Sequence, residues 1–335
     1  MARWIGAARR GFWFAAAAGA LLTSIVSAQA QSQSQSWPTR SIRLIVSTGP
    51  GLGTDIMARM MSESLSRQLG QQVFVENVGG AAGMIGTQAA VRAVPDGYTF
   101  LFAPASSMSS NMYLYKSVPY VPLRDLTPVA MVCDSSPFAV SVNPDLPIKT
   151  IPDLVAYSKA NPGKLSYAID SSSGYAGVIG QLLSKRGGVD WVQVPYKSTP
   201  QMLQDTAAGT TQLMISSIGA VQGMVAGGKL RMVALSSERR YPGLEDVSVI
   251  AETMPGFRID GWFAVMAPIG TPQPIIERMN REIDIFLKSS ELPPKLKTLG
   301  FATSGAGTPQ STADFIQAEQ ERWKKLVVEL NIQPQ

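Results

Sequence analysis

Short apolar runs alternate with longer amphipathic segments along most of the chain. The run Ile42–Val46 is rich in β-branched residues and is typical of a buried strand. Soon after it, apolar residues recur every four positions, which predicts one face of a helix, at Met57, Met61, Leu65 and Leu69. Between the two segments, residues 47–53 contain three glycines and a proline, which cannot continue the strand. The pattern therefore predicts a strand, a tight loop and a helix.

This order recurs in the next part of the chain. Strands are predicted at residues 72–77 and 98–103, and a helix at 87–93. A glycine-rich loop, 79–86, follows the first of these strands, and a serine-rich segment, 106–110, follows the second. Three loops are therefore expected at the carboxyl ends of three parallel strands, the edge at which open α/β sheets bind ligands.

A second set of alternating elements begins after residue 132. Strands are predicted at 138–142, 165–169, 191–194, 213–215 and 231–235, and helices from 151, at 178–186, at 201–208 and after Ser217. A strand at 262–267 then precedes two long helices, each with Gly-Thr-Pro-Gln at its start, from Gly270 and Gly307. This spacing predicts threonine as the helix cap and proline as the first helical residue. Sequence order alone leaves open whether these last elements return to the first sheet.

The helix that begins near Thr54 is a candidate anion site. The Thr54 hydroxyl is predicted to cap the helix, and Asp55 places negative charge in its first turn. The amides at such a helix start have no partner within the helix, and a carboxylate suits them. The alternative is that Gly51 and Gly53 only form the turn and that Thr54 only caps.

The N-terminal segment has the pattern of a secretory leader. Three arginines and no acid precede an apolar stretch at 11–26, and small residues follow at 27–30. We therefore assign residues 1–30 to a cleaved signal peptide and 31–36 to a disordered spacer; the alternative is an uncleaved membrane anchor. Without the leader arginines the formal charge falls from +5 to about +2. No cluster of basic and aromatic residues remains, so a nucleic-acid partner is not expected.

The chain lacks the residues that most enzyme mechanisms need. It contains no histidine and a single cysteine, Cys133, which excludes a histidine triad and a zinc site. No nucleophile elbow or P-loop occurs, and Gly51 and Gly53 lack the third glycine of a dinucleotide fingerprint, because Ile56 stands in its place. We expect no catalytic residue, no metal and no cofactor. An exported enzyme without a recognisable motif remains a weaker alternative.

Nine short motifs, in order along the mature chain, resemble those of the Bug family of periplasmic solute-binding proteins. They are Trp37-Pro38, Leu44-Ile45-Val46, Gly51 with Gly53-Thr54-Asp55, Val75-Glu76-Asn77, Pro95-Asp96-Gly97-Tyr98-Thr99, Pro119-Tyr120, Asn161-Pro162-Gly163-Lys164-Leu165, Val194-Pro195-Tyr196-Lys197 and Gly228-Lys229-Leu230-Arg231. The resemblance implies an α/β, two-lobed Venus-flytrap protein, with each lobe a sheet flanked by helices. It implies lobe 1 at 37–136 and 262–335 and lobe 2 at 137–261, with the ligand cleft between them.

The resemblance also implies a function. A monomeric receptor in the periplasm, with no stable membrane insertion after signal cleavage, would bind a small organic carboxylate and deliver it to the inner-membrane subunits of a tripartite tricarboxylate transporter. A partner of a membrane sensor would use the same fold and remains an alternative. The family's ligand-binding positions correspond here to Gly51, Leu52, Gly53, Thr54, Asp55, Gly83, Met84, Ser106, Ser107, Ser172, Ser173, Gly174, Tyr175, Ala176, Tyr196, Ser216 and Ser217.

The chain departs from the family pattern at three places near the expected cleft. Ser47-Thr48 replaces a Pro-Phe pair, Val78-Gly79 replaces Arg-Pro, and Ser216-Ser217 replaces Asp-Asn. An aromatic ring, a cation and an acid are lost, so an amino-acid ligand, whose ammonium group would need a carboxylate partner, is less favoured. Simpler roles are also possible for three residues. Tyr175 would then only pack at a helix start, Lys197 would be a solvated surface charge and Trp262 would belong to the core.

Overall fold

Two five-stranded sheets, each flanked by helices, form the protein in a computed structural model that describes residues 37–170 and 174–334. The predicted signal peptide and spacer lie outside the described residues. The strands are β1 (Ile42–Val46), β2 (Val73–Asn77), β3 (Thr99–Pro104), β4 (Leu126–Ser136), β5 (Phe138–Val142), β6 (Ser166–Ile169), β7 (Val192–Pro195), β8 (Leu213–Ser217), β9 (Arg231–Leu235) and β10 (Gly261–Pro268). The helices are α1 (Gly53–Leu69), α2 (Met84–Val91), α3 (Asn111–Leu114), α4 (Pro122–Asp125), α5 (Ile151–Ala160), α6 (Tyr175–Gly187), α7 (Thr199–Ala207), α8 (Ile218–Ala226), α9 (Gln273–Leu287), α10 (Leu292–Leu299) and α11 (Pro309–Leu330).

The first sheet has the strand order β2-β1-β3-β10-β4. Strand β1 pairs in parallel with β2 and with β3, which confirms the three parallel strands expected from the sequence. Strand β10 runs antiparallel between β3 and β4, so the late part of the chain does return to this sheet. The loops that follow β1, β2 and β3 emerge at one edge because the three strands share a direction.

The second sheet has the order β7-β6-β8-β5-β9 and is built from the middle of the chain. Strand β6 is parallel to β7 and β8, whereas β5 is antiparallel to β8 and β9. Strands β5 and β9 have the bounds predicted from the sequence. Two sheets flanked by helices confirm the α/β, two-lobed class predicted above. None of the helices in residues 37–170 and 174–334 has the length and apolar character needed to cross a bilayer.

The two Gly-Thr-Pro-Gln segments begin their helices differently. Thr308 caps α11 as predicted, because its Oγ1 accepts a hydrogen bond from the Ser311 amide at 3.0 Å. The prediction is wrong for α9, which begins one residue later, at Gln273, with Pro272 at the cap position. There the Thr271 hydroxyl donates instead to the Pro268 carbonyl at 2.8 Å and closes the turn before the helix.

Helix α11 packs against the cores of both sheets. Ile316, in its first half, is buried in a cluster with Trp262 of β10, whereas Trp323 and Leu326 are buried in the core of the second sheet. Near its end, Glu329 forms an ion pair with Arg186 of α6 at 2.9 Å. The two sheets are thus joined by the connections around 137 and 260 and by this helix. The lobe boundaries drawn from the sequence stay a prediction.

Candidate functional site

A cavity of about 860 Å³ is lined by residues of both sheets. Strand ends supply much of the wall, since Pro104 and Ser217 end strands and Phe138 and Gly261 begin them. The volume lies in the range of pockets that bind small molecules. Eight of the predicted site residues line the cavity, namely Gly51, Leu52, Gly53, Thr54, Ser106, Gly174, Tyr175 and Ser217.

The glycine loop after β1 brings the start of α1 to the cavity. The prediction that Thr54 caps this helix is wrong, because Leu52 occupies the cap position and no side chain caps the helix. The Ile56 amide donates to the Leu52 carbonyl at 3.0 Å, so the amides of the three residues between them precede the first intrahelical bond. These amides adjoin the cavity at the positive end of the helix dipole, and they can donate hydrogen bonds to a bound anion.

The Asp55 carboxylate does not line the cavity, but it holds the glycine loop after β1 in place through hydrogen bonds. It is 3% exposed and accepts hydrogen bonds from the Gly51 amide at 2.9 Å, Arg59 Nε at 3.0 Å and Asn77 Nδ2 at 2.9 Å. Burial favours the neutral acid, but the bonds from Arg59, Gly51 and Asn77 outweigh it and hold the pKa of Asp55 below its usual value. The negative charge of Asp55, which could repel an anion in the cavity, is therefore balanced by the positive charge of Arg59.

The second and third loops touch each other beside the cavity. Gly83 has a left-handed backbone, with φ of 85°, and a Cβ on it would lie 2.6 Å from Ser107 Oγ. Gly83, Met84 and Ser107 are all buried, and they support the wall without lining it. Ser106, which is half-buried, does line it.

The second sheet supplies the opposite wall through the start of α6. The Tyr175 ring stacks on Phe138, with centroids 6.0 Å apart and planes at 26°, and lies 5.0 Å from the Trp323 ring. Burial raises the pKa of the Tyr175 hydroxyl, which keeps it a neutral phenol. Ala176 is buried behind it. Ser172 and Ser173 lie outside the described residues.

Two other residues predicted in this lobe do not line the cavity. The Tyr196 hydroxyl donates to Asp205 Oδ2 at 2.9 Å, and the neighbouring Lys197 is exposed, in keeping with a surface charge. Ser216 precedes Ser217 in β8 and pairs with Ala139 of β5. Successive side chains of a strand point to opposite faces, which explains why only the second serine reaches the cavity.

The lining also contains aromatic residues that the sequence analysis missed. Phe138, Phe263 and Phe301 line the cavity, as does Trp262, which is fully buried and was considered as core. The sequence contained a signal for Phe138, Trp262 and Phe263, because these residues lie where the predicted strands at 138 and 262 begin, next to a sheet edge. Phe301 had none, since its proximity to Gly53 arises only in the folded chain; a Cβ on Gly53 would lie 2.6 Å from Phe301 Cζ.

The cavity wall carries little formal charge. Among the lining residues that the structure describes, Asp170 is the charged side chain, and neither lysine nor arginine is present. The polar groups are amides of the α1 start and hydroxyls such as those of Ser106, Ser136 and Ser217. The site can therefore bind an anion through neutral donors, with the helix dipole as the source of positive potential.

A buried polar cluster lies where the chain passes between the sheets. Asp260, 4% exposed, accepts a hydrogen bond from Ser135 Oγ at 3.1 Å, which joins the two connecting segments. Arg258 faces Glu319 of α11 at 3.6 Å, and Arg322 contacts the same glutamate at 3.1 Å. Burial raises the pKa of Asp260 to about 7; Arg258, Ser135 and Arg322 oppose this shift and Glu319 adds to it.

We expect Asp260→Asn to change how stability depends on pH. An unfolded aspartate loses its proton near pH 4. In the folded protein, Asp260 keeps its proton up to a pH of about 7. The stability supplied by this proton is present below pH 4 and is lost as the pH rises through 7. Relative to the parent, the asparagine variant should therefore gain free energy of unfolding over this interval, by about 4 kcal/mol at pH 8.

Urea unfolding at pH 4, 6 and 8 measures this difference. The same substitution at the exposed Asp145 controls for the loss of one surface charge. A difference between variant and parent that stayed constant with pH would contradict the expected titration of Asp260.

Comparisons with known proteins reveal close similarity over most of the chain. Residues 57–332 match the family described as "Tripartite tricarboxylate transporter family receptor". BugT of Bordetella pertussis is 36% identical over 295 residues, which cover 88% of this chain and 90% of BugT. An R. palustris protein solved with adipate has a TM-score of 0.78 and 32% identity, over 89% of this chain and all 100% of its own. MatC from Rhodopseudomonas palustris with bound malate has a TM-score of 0.73 and 26% identity, over 87% of this chain and 100% of MatC.

Proposed function

The chain belongs to the tripartite tricarboxylate transporter receptor family, as the Bug resemblance in its sequence indicated, and from that premise we propose a specific role for it. Its family and fold are those of periplasmic solute-binding receptors. We propose that the mature protein binds one small carboxylate between its lobes in the periplasm and delivers it to the membrane subunits of a tripartite transporter.

The observation that carries this proposal is the uncapped start of α1 at the wall of the cavity. Its amides lie next to a space lined from both sheets, and Asp55 behind them is neutralised by Arg59. A helix N-terminus with free amides is a ready site for a carboxylate. Proteins of similar fold were solved with adipate and with malate, both of which are carboxylates.

Binding and release follow from the two-lobed arrangement. We propose lobe 1 at 37–136 and 262–335, lobe 2 at 137–261, and hinge rotation around the connections near 137 and 260. The ligand stabilises the closed form because only that form brings both walls into contact with it. We further propose that the receptor is a monomer, that its signal peptide is cleaved, and that the ligand leaves unchanged. The chain contains no histidine to act as the usual base of a hydrolase.

We expect a carboxylate to stabilise the folded protein and its uncharged analogue to leave it unaffected. Ligand at 100 times its Kd adds about 2.7 kcal/mol to the free energy of unfolding. Thermal unfolding of the mature chain is measured with malate, adipate, benzoate and their amides, and with glucose and MgCl2 as controls. If only sugars or metal ions raise the Tm, the carboxylate proposal is wrong.

A further inference from the structure

We propose that the ligand is a monocarboxylate whose body is an aromatic or alicyclic ring, an inference that rests on the carboxylate-binding function proposed above. The carboxylate lies at the start of α1 and the ring against the aromatic walls of the cavity. Three observations carry this assignment, namely the rings in the lining, their position relative to α1, and the charge of the wall.

The cavity is lined by six aromatic residues, three in strands of the two sheets and three in helices or loops beside them. They are Tyr115, Phe138, Tyr175, Trp262, Phe263 and Phe301. Flat apolar ligands gain most from such walls, because rings prefer offset or edge-to-face contacts with other rings and bury large apolar areas. A short aliphatic chain would leave much of this wall without a partner.

The rings are held in place by contacts with one another. Phe138 stacks on Tyr175 at 6.0 Å, and on the other side Phe263 meets Phe301 edge to face at 5.0 Å. Phe263 in turn packs against Phe102, with centroids 5.8 Å apart, inside the core of the first sheet. The aromatic wall is thus a continuation of packed cores, which lowers the cost of ordering it around a ligand.

The apolar wall begins directly beside the proposed carboxylate position. A Cβ on Gly53 would lie 2.6 Å from Phe301 Cζ, so the edge of this ring adjoins the first residue of α1. A carboxylate bound by the amides of α1 would therefore have the Phe301 ring as an immediate neighbour. This arrangement suits an acid whose carboxylate is attached to a ring or is separated from it by a short link.

The charge of the wall disfavours a second carboxylate. Neither lysine nor arginine lines the cavity within residues 37–170 and 174–334, and the charged side chain there, Asp170, is an acid. A second buried carboxylate would lose its water without gaining a cation. Ser136 and Ser217 offer hydroxyls in the lining, which suit a neutral hydroxyl or carbonyl substituent on the ring.

Isothermal titration of the mature protein tests this inference with benzoate, 3-phenylpropanoate and cyclohexanecarboxylate against hexanoate, adipate and malate. We expect the best ring acid to bind at least about 10-fold more tightly than adipate or malate. Phe138→Leu and Phe301→Leu keep an apolar side chain but remove a ring, and each should weaken ring acids several-fold more than hexanoate. Phe74→Leu, an exposed phenylalanine outside the cavity wall, is the matched control and should change neither.

The outcomes separate this inference from the function on which it rests. If adipate or malate binds as tightly as every ring acid, the ring inference is wrong and carboxylate binding stands. If no acid of either kind binds, the proposed function itself fails. Equal losses for ring acids and hexanoate in both leucine variants would also overturn the assignment of these rings to the ligand. Thermal unfolding of each variant confirms that the measured change concerns binding.

Discussion

Gly53→Val abolishes ligand binding, with an expected loss of affinity of at least about 100-fold, while the protein still folds. The new Cβ would lie 2.6 Å from Phe301 Cζ, a distance that real side chains do not tolerate. Phe263 packs edge to face against the Phe301 ring, and both rings line the cavity, so relief of the clash displaces part of the cavity wall. The added methyl groups also stand beside the amides proposed to bind the carboxylate. Titration with the best acid of the panel above measures the loss.

Gly49→Val is the matched control in the same loop. A Cβ on Gly49 has no heavy atom within 4 Å, its backbone is not left-handed, and it does not line the cavity. We expect this variant to bind within about threefold of the parent, because nothing near the amides of α1 is disturbed. Full affinity in Gly53→Val would show that the carboxylate binds elsewhere.

Gly86→Ala is expected to destabilise the folded protein by about 3 kcal/mol. A Cβ on this residue of α2 would lie 2.4 Å from the Val78 carbonyl oxygen and 2.9 Å from Ser47 Cα. Both are backbone atoms at the ends of β1 and β2, so neither can rotate away. The helix must shift off the sheet, and the loops beside the cavity shift with it. Urea unfolding at pH 7 measures the loss.

Gly223→Ala in α8 is the control with the opposite sign. A Cβ there has no heavy atom within 4 Å, and alanine is a better helix former than glycine. We expect a gain of about 0.5–1 kcal/mol. If the two substitutions changed the free energy of unfolding equally, close packing of α2 on the sheet would not be the cause of the loss at Gly86.

Local periodicity was sufficient to predict most of the fold. The runs that became β5 and β9 were predicted to the residue, because burial of short apolar strands leaves a clear mark on a few neighbouring positions. The face of α1 was equally clear, since Met57, Met61 and Leu65 are all buried. The return of β10 to the first sheet does not follow from the sequence, because strand pairing between distant segments has no local pattern.

The candidate site was predicted less completely, for reasons that differ between residues. Thr54 and Asp55 both suit a helix start, and only the folded loop shows that neither side chain caps the helix. The Asp55 carboxylate instead accepts a hydrogen bond from the Gly51 amide, which precedes the helix. The lining role of Phe301 depends on its contact with Gly53, far away in sequence. A sequence pattern indicates which residues share a face of one helix or strand. A cavity wall combines residues from several helices, strands and loops, and their proximity leaves no such pattern.

The helix at the end of the chain limits the independence of the two halves. Ile316 is buried against one sheet and Trp323 against the other, so each core includes part of the same helix, α11. A gene fragment that encoded either half alone would specify a chain with an uncovered apolar surface. The lobes that we propose to rotate about a hinge are therefore expected to fold as parts of one cooperative unit.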